Sequence, residues 1–341
     1  MEKSFLRKIK KNTLIYGGGV IGSFLASCLI KADHKIFFLC RGQNYSKIKL
    51  DGLKIKVYDN DILKENIHLK NSNTFKVINN IRKINKSKLD NIFITTKINQ
   101  NLKNIFLKID PYVNNKTLII TPCTSIPFWW YKCLNKNLQK KIEINLNYIY
   151  LKNIIKKNLV GMTMWLSGKM TGPGKIKINH IQRGFPIKEV FYNKKKQVNK
   201  LRKDILKKTL SPKIKNIFSE IMIKSINSLA FNMIALKYNQ NNKRLNKNLK
   251  GKEEILKILN EGDNILKKNY IRIYQSPTSR MKQTLKSQNH TMSMLHAFKN
   301  NKEIELKYLW NSFEKLSREI KITMSFTKKI YKEVIKIITN K

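Results

Sequence analysis

The stretch that decides the fold is Tyr16-Gly-Gly-Gly-Val-Ile-Gly22. It closes the short apolar run Thr13-Leu-Ile-Tyr16, which is typical of a buried strand. The residues that follow, Val20 to Lys31, have the length and apolar content of a helix. The glycines therefore lie in a turn that leads from a strand into a helix.

Each glycine of this turn has a distinct physical purpose if the turn binds a dinucleotide. Gly17 allows the tight turn, Gly19 lets the backbone approach a pyrophosphate, and Gly22 lets the helix pack closely on the strand. The free N–H groups of the helix N-terminus would then face the phosphates. A plain flexible turn is the alternative. The residues expected at the cofactor are Gly17, Gly18, Gly19, Val20, Ile21 and Gly22.

The residue after the second predicted strand, Lys35 to Leu39, indicates which dinucleotide binds. A fold that binds NAD places Asp or Glu about 20 residues beyond the glycines, to hold the ribose 2'-hydroxyl. This chain has Cys40-Arg41-Gly42 there. An arginine suits a 2'-phosphate, so we expect NADP as the cofactor, unless Arg41 is one more solvated cation of a basic protein.

Length and composition set wider limits. A chain of 341 residues with 41% hydrophobic residues predicts two globular domains. It has no apolar run of the ~18 residues that cross a bilayer, which predicts a cytoplasmic protein without membrane contact. Its four cysteines form no CxxC pair and do not cluster with the five histidines, so neither a disulfide framework nor a metal site is expected.

The formal net charge of +49 invites comparison with nucleic-acid-binding proteins. The lysines, however, are spread over the whole chain among abundant Asn and Ile, and these three residue types share A/T-rich codons. We therefore interpret the charge as compositional and expect no specific nucleic-acid partner. The oligomeric state is left open, with a homodimer as one option.

The remaining pattern predicts an α/β fold with a Rossmann-type domain over 12–195 and an all-helical domain over 208–341. Residues 51–57 and 67–70 suggest a hairpin between Rossmann strands, and 91–97 and 117–121 read as further buried strands. The second part has helical spacing and few strand signals. We expect the two domains to enclose a cleft that holds the reacting groups.

Several spaced motifs together resemble the 2-dehydropantoate 2-reductase (ketopantoate reductase) family, from about Asn12 to the last helix. In chain order they are Gly17-Gly-Gly-Val-Ile-Gly22, Leu39-Cys-Arg-Gly42, Thr95-Thr-Lys97, Ser125-Ile-Pro-Phe-Trp-Trp130, Thr171-Gly-Pro-Gly-Lys-Ile176, Ile223-Lys-Ser-Ile-Asn-Ser-Leu-Ala-Phe-Asn232, and Ser293-Met-Leu295 with Glu305. The resemblance implies NADPH-dependent reduction of a 2-keto acid, 2-dehydropantoate to pantoate, in pantothenate and coenzyme A synthesis.

The resemblance also implies residue roles. Lys224 would be the proton donor, because burial can lower the pKa of a lysine into the working range. Glu305 would pair with Lys224 or with the cofactor ribose. The substrate would be bound by Ser228, Asn232 and Ser293 together with Lys224, and Lys97 and Thr124 would approach the cofactor.

This sequence departs from the family pattern at several of these positions. Thr124-Ser125 stands where the family generally has Asn-Gly, Ser228 stands where it has an asparagine, and Met233 stands where it has a proline. A hydroxyl is shorter than a carboxamide and lacks its two-sided hydrogen bonding. Two alternatives to ketopantoate reduction therefore remain: another 2-keto acid, or a catalytically weak relative that binds a dinucleotide or a partner.

Overall fold

The computed structural model describes residues 11–59, 61–84, 89–96, 102–134, 137, 153–286 and 290–340. These residues form two compact units. The first comprises the described residues within 1–122 and 151–217, and the second those within 123–150 and 218–341. Among the described residues, no helix has the length and apolar character needed to cross a bilayer.

The first unit is built on a seven-stranded sheet of order β11-β8-β7-β6-β1-β2-β5. Strands β5, β2, β1, β6 and β7 run parallel, and β11 pairs antiparallel with β8. The last four residues of β1, β2 and β6 are all buried, as expected for strands covered on both faces. The strands of this sheet are β1 Lys11–Tyr16, β2 His34–Leu39, β5 Phe75–Ile78, β6 Asn91–Ile94, β7 Leu118–Cys123, β8 Leu159–Thr163 and β11 Ile187–Glu189.

A second, four-stranded sheet in the same unit has the order β4-β3-β10-β9. Its strands are β3 Leu53–Asp59, β4 Ile62–Leu69, β9 Trp165–Gly172 and β10 Lys175–Gly184. The hairpin expected after the second Rossmann strand is present as β3 and β4. Its parallel pairing with β10, more than 100 residues later in the chain, has no signal in the local sequence.

Helices pack on these sheets and complete the first unit. They are α1 Val20–Lys31, α2 Gly42–Asp51, α3 Leu102–Ile109, α4 Asn153–Lys157 and α5 Lys195–Leu206, with short 3₁₀ helices at Ile81–Lys83, Asp110–Tyr112 and Tyr192–Lys194. Helix α1 is buried from Gly22 to Leu29 between the strands and α5. That burial fixes the glycine turn at its N-terminal end.

The second unit is helical in its described residues. It contains the 3₁₀ helix Phe128–Cys133 and α6 Ile217–Tyr238, α7 Asn242–Lys247, α8 Leu249–Lys268, α9 Pro277–Leu285, α10 Ser293–Lys299, α11 Leu306–Glu319 and α12 Ser325–Thr339. A Rossmann-type α/β part followed by a helical part confirms the predicted fold class.

The grouping of residues into units differs in detail from the predicted domain boundaries. Cys123, the last residue of β7, and residues 124–134 after it group with the helical unit, and 208–217 group with the first unit. The first difference has a visible cause, because the indole of Trp130 donates a hydrogen bond to the carbonyl of Phe218 at 2.7 Å.

Candidate active site

The glycine turn joins β1 to α1 as the sequence predicts. Gly17 has φ +130°, a conformation that side chains rarely adopt, and its N–H donates to the Leu39 carbonyl at 3.0 Å. A Cβ on Gly22 would overlap the carbonyl oxygen of Gly17, and one on Gly18 would overlap Cβ of Cys40. These glycines are therefore required by the packing of the turn itself.

Thr95, which immediately follows β6, forms hydrogen bonds that hold the glycine turn in place. The Thr95 hydroxyl donates to the Gly17 carbonyl at 2.9 Å, and the Thr95 N–H donates to the Tyr16 carbonyl at the same distance. Lys97, which was expected to approach the cofactor, lies outside the described residues. Thr95 belongs to the quoted Thr95-Thr-Lys97 motif, but its support of the turn was not foreseen.

Gly19 differs from the other glycines of the turn. A Cβ built on it meets nothing within 4 Å, so no neighbouring atom requires a glycine there. It is the N-cap residue of α1, without a side-chain cap, and the first turn of α1 has no acidic residue. An open approach to uncapped helix N–H groups fits a dinucleotide pyrophosphate.

Arg41 follows β2 and is the N-cap residue of α2. Its side chain is exposed, and its Nη2 donates to the Tyr16 hydroxyl at 3.4 Å. The first turn of α2 also lacks acidic residues. A guanidinium beside an uncapped helix start suits a phosphate group better than a ribose hydroxyl.

The second group of predicted residues lies on α6, whose middle is almost entirely buried. From Ile221 to Leu236 every residue is buried except Lys224 and Ser228, which are partly exposed. These two side chains lie one turn apart on one face. Between Ile221 and Leu236, solvent therefore contacts the helix mainly at Lys224, the predicted proton donor, and at Ser228.

The environment of Lys224 perturbs its ionisation. Burial lowers the pKa of Lys224 to about 8, and the charge of Glu220 opposes this shift. Glu220 lies one turn earlier on α6 and is only 7% exposed. Sequence reasoning missed Glu220, although its spacing of four residues before Lys224 was a readable signal.

Asn232, one turn beyond Ser228, is committed to contacts within the protein. Its Nδ2 donates to the Ser228 carbonyl at 2.7 Å and lies 3.4 Å from the Ser228 hydroxyl. Its Oδ1 accepts a hydrogen bond from the backbone N–H of Met294 at 2.9 Å. The structure thus brings Ser228, Asn232 and the start of α10 together, where the exposed side chain of Ser293 lies.

The segment after β7 also meets the beginning of α6. The rings of Trp129 and Phe218 pack edge to face with centroids 6.0 Å apart, beside the hydrogen bond from Trp130 to Phe218. Both tryptophans are fully buried. Thr124 at the start of this segment is partly exposed and Ser125 is buried.

Glu305 immediately precedes α11 and is partly exposed. Its carbonyl accepts the N–H of Leu309 and so begins that helix. Its pairing with Lys224 or with a cofactor ribose stays a prediction. One carboxylate whose charge acts on Lys224 is that of Glu220, on the same helix.

Two family models match the chain. The model described as ketopantoate reductase PanE/ApbA matches residues 13–122, and the one described as ketopantoate reductase PanE/ApbA C terminal matches residues 216–337. Together they span more than half of the 341 residues. No curated protein sequence matches the chain.

Solved structures share the fold at low sequence identity. The 2-dehydropantoate 2-reductase of Geobacter metallireducens GS-15 superposes with a TM-score of 0.77 at 13% identity, covering 95% of this chain and 99% of its own. The corresponding protein of Methylococcus capsulatus gives 0.69 at 15% identity, with 97% and 98% covered. A D-mandelate dehydrogenase solved with NADH and anilino(oxo)acetate gives 0.76 at 14% identity, with 96% and 99% covered.

Proposed function

The chain belongs to the ketopantoate reductase family, and from this premise we propose that it reduces the ketone of 2-dehydropantoate to pantoate with NADPH. The observation that carries the proposal is the burial pattern of α6, which is open at Lys224 and Ser228 and closed around them. A ketone reductase needs a proton donor and hydrogen-bonding groups at one accessible place. A purely structural helix has no need of a lysine whose pKa is lowered at the one place where the helix is accessible.

Lys224 is the proposed proton donor to the carbonyl oxygen. With its pKa lowered to about 8, the ammonium is largely protonated at neutral pH yet releases its proton more readily than an ordinary lysine. Ser228 and Ser293 would hydrogen-bond the substrate, and the positive charge of Lys224 would also attract its carboxylate. Asn232 was predicted as a further substrate ligand, and that role remains a prediction.

The glycine turn and Arg41 would hold the dinucleotide. The backbone around Gly19 and the first N–H groups of α1 would bind the pyrophosphate, and Arg41 would bind the 2'-phosphate. Thr124 and Glu305 would complete the cofactor contacts. When bound, the reduced nicotinamide supplies the hydride. The protein's own residues then need only to orient the ketone and protonate its oxygen.

A second candidate substrate is a different 2-keto acid. Ser228 replaces a family asparagine, and a protein of the same fold is a D-mandelate dehydrogenase with a comparable TM-score. Because a hydroxyl is shorter than a carboxamide, a substrate with a bulkier group than that of ketopantoate would be the better fit to Ser228. The reaction would still be reduction of a 2-keto acid. The two candidate substrates would differ in the group that faces Ser228.

The test of the proposed function is oxidation of NADPH by the purified protein with a panel of 2-keto acids. The panel includes ketopantoate, pyruvate and an aromatic 2-keto acid. We expect turnover with ketopantoate and a lower KM for it than for the others. Preference for the aromatic acid would favour the second candidate. No turnover with any acid would favour the catalytically weak relative that binds a dinucleotide or a partner.

Arg41 is expected to set the preference between cofactors. NADPH should bind more tightly than NADH, and Arg41→Ala should narrow that gap by ~1 to 3 kcal/mol, the range for charge-assisted contacts. Calorimetric titration with both cofactors measures this difference. Lys31→Ala, which removes an exposed cation at the other end of α1, is the control. Equal affinities in the unsubstituted protein would refute the assignment of Arg41.

Glu220 is expected to set the pH range of the reaction. Its negative charge raises the pKa of Lys224 against the effect of burial, so Glu220→Gln should lower that pKa below about 8. Because a general acid must be protonated, the loss of turnover at high pH should begin at lower pH in the variant. The measurement is the pH profile of kcat. A profile that stays in place, or moves to higher pH, would contradict the role of Glu220.

A further inference from the structure

We infer that Asn232 is a positioning residue, which holds Ser293 at the proposed substrate site by capping α10 from α6. This inference rests on the proposed function, and it assigns Asn232 a task other than direct contact with the substrate. The residues concerned all lie in the helical unit.

The hydrogen bonds of Asn232 define its task. Its Oδ1 accepts from the N–H of Met294, 62 residues later in the chain, at 2.9 Å. Its Nδ2 donates at 2.7 Å to the carbonyl of Ser228, one turn earlier on its own helix. The side chain is 3% exposed. The carboxamide therefore has one side fixed to α6 and the other to α10.

The start of α10 needs such a partner. The first N–H groups of a helix have no acceptor within the helix, and a polar N-cap side chain usually supplies one. Here the N-cap residue is Met292, which makes no side-chain cap. Asn232 supplies the missing acceptor from a distant helix, and because Met294 is buried, water is a poor substitute.

The position of Ser293 follows from this cap. Ser293 begins α10 and immediately precedes the capped residue, and its own side chain is exposed. If the N–H of Met294 is held on α6, the hydroxyl of Ser293 is held near the face that carries Ser228. The carboxamide of Asn232 thus holds the hydroxyls of Ser228 on α6 and Ser293 on α10 close together, where both can bind one substrate.

The test combines hydrogen exchange with a double-substitution cycle. Asn232→Leu has a similar shape and removes both hydrogen bonds, whereas Asn232→Asp keeps an oxygen acceptor. Asn269→Leu is the matched control, because Asn269 also donates to the carbonyl four residues earlier, that of Ile265 at 2.8 Å. The readouts are exchange of the Met294 amide, and kcat and KM for ketopantoate with and without Ser293→Ala.

We expect Asn232→Leu to speed exchange of the Met294 amide at least tenfold and to raise KM about tenfold, with a smaller change in kcat. Asn232→Asp should keep the amide protected even if the leucine variant folds poorly. In the Ser293→Ala background, Asn232→Leu should raise KM less than twofold further, since both changes remove the same contact.

Three results would overturn the inference. Unchanged exchange in Asn232→Leu, or equal loss of protection in Asn232→Asp, would show that Asn232 is not the cap. Independent, multiplying effects of the two substitutions on KM would show that Asn232 contacts the substrate directly. If the unsubstituted protein reduces no 2-keto acid of the panel, the proposed function is refuted, whereas exchange of the Met294 amide still decides whether Asn232 caps α10.

Discussion

Lys224→Ala should lower kcat for ketopantoate by about 100-fold or more, the usual scale for loss of a general acid. The affinity for NADPH, measured by calorimetry, should stay nearly unchanged, because Lys224 is proposed to contact the substrate oxygen and not the dinucleotide. We expect Lys224→Ala to fold, because desolvation already disfavours the charge of Lys224 in the folded protein.

Two further variants separate proton donation from charge alone. Lys224→Arg keeps a positive charge but does not release a proton near neutral pH, so it should retain substrate binding better than turnover. Lys268→Ala, which removes an exposed lysine at the end of α8, should leave both unchanged. If Lys224→Ala reduces ketopantoate as fast as the unsubstituted protein, Lys224 is not the proton donor.

Gly22→Ala and Gly19→Ala should separate stability from cofactor binding. A Cβ on Gly22 would overlap the Gly17 carbonyl and approach the Thr95 hydroxyl to 2.6 Å, so this variant should lose about 3 kcal/mol of unfolding free energy. A Cβ on Gly19 meets no atom of the protein, so that variant should stay within ~1 kcal/mol of the unsubstituted protein.

The affinity for NADPH should fall in Gly19→Ala even though the stability of that variant changes little. In Gly19→Ala the new methyl group occupies the approach proposed for the pyrophosphate, which should weaken NADPH binding about ten- to a hundredfold without loss of stability. Chemical denaturation and calorimetry together measure both quantities. Normal NADPH affinity in Gly19→Ala would place the pyrophosphate elsewhere.

The local sequence was sufficient to predict those features that depend on interactions between residues close together in the chain. The bounds of α1 were predicted as Val20 to Lys31 and are so in the structure, because a strand, a glycine turn and an apolar helix follow one another without interruption. The place of Arg41 after β2 and the single helix that carries Lys224, Ser228 and Asn232 were predictable for the same reason. Their spacing in the chain sets their spacing in space.

Tertiary structure decided what depends on residues far apart in the chain. The pairing of β3 with β10 and the bond from Trp130 to Phe218 join segments that share no local pattern. The capping of Met294 by Asn232 is of the same kind. The sequence predicted Asn232 as a substrate ligand. It could not predict that the N–H of Met294 donates to Asn232, because that donor comes close only in the folded protein. Burial of Lys224, and hence its lowered pKa, also arises only when the surrounding helices exclude water.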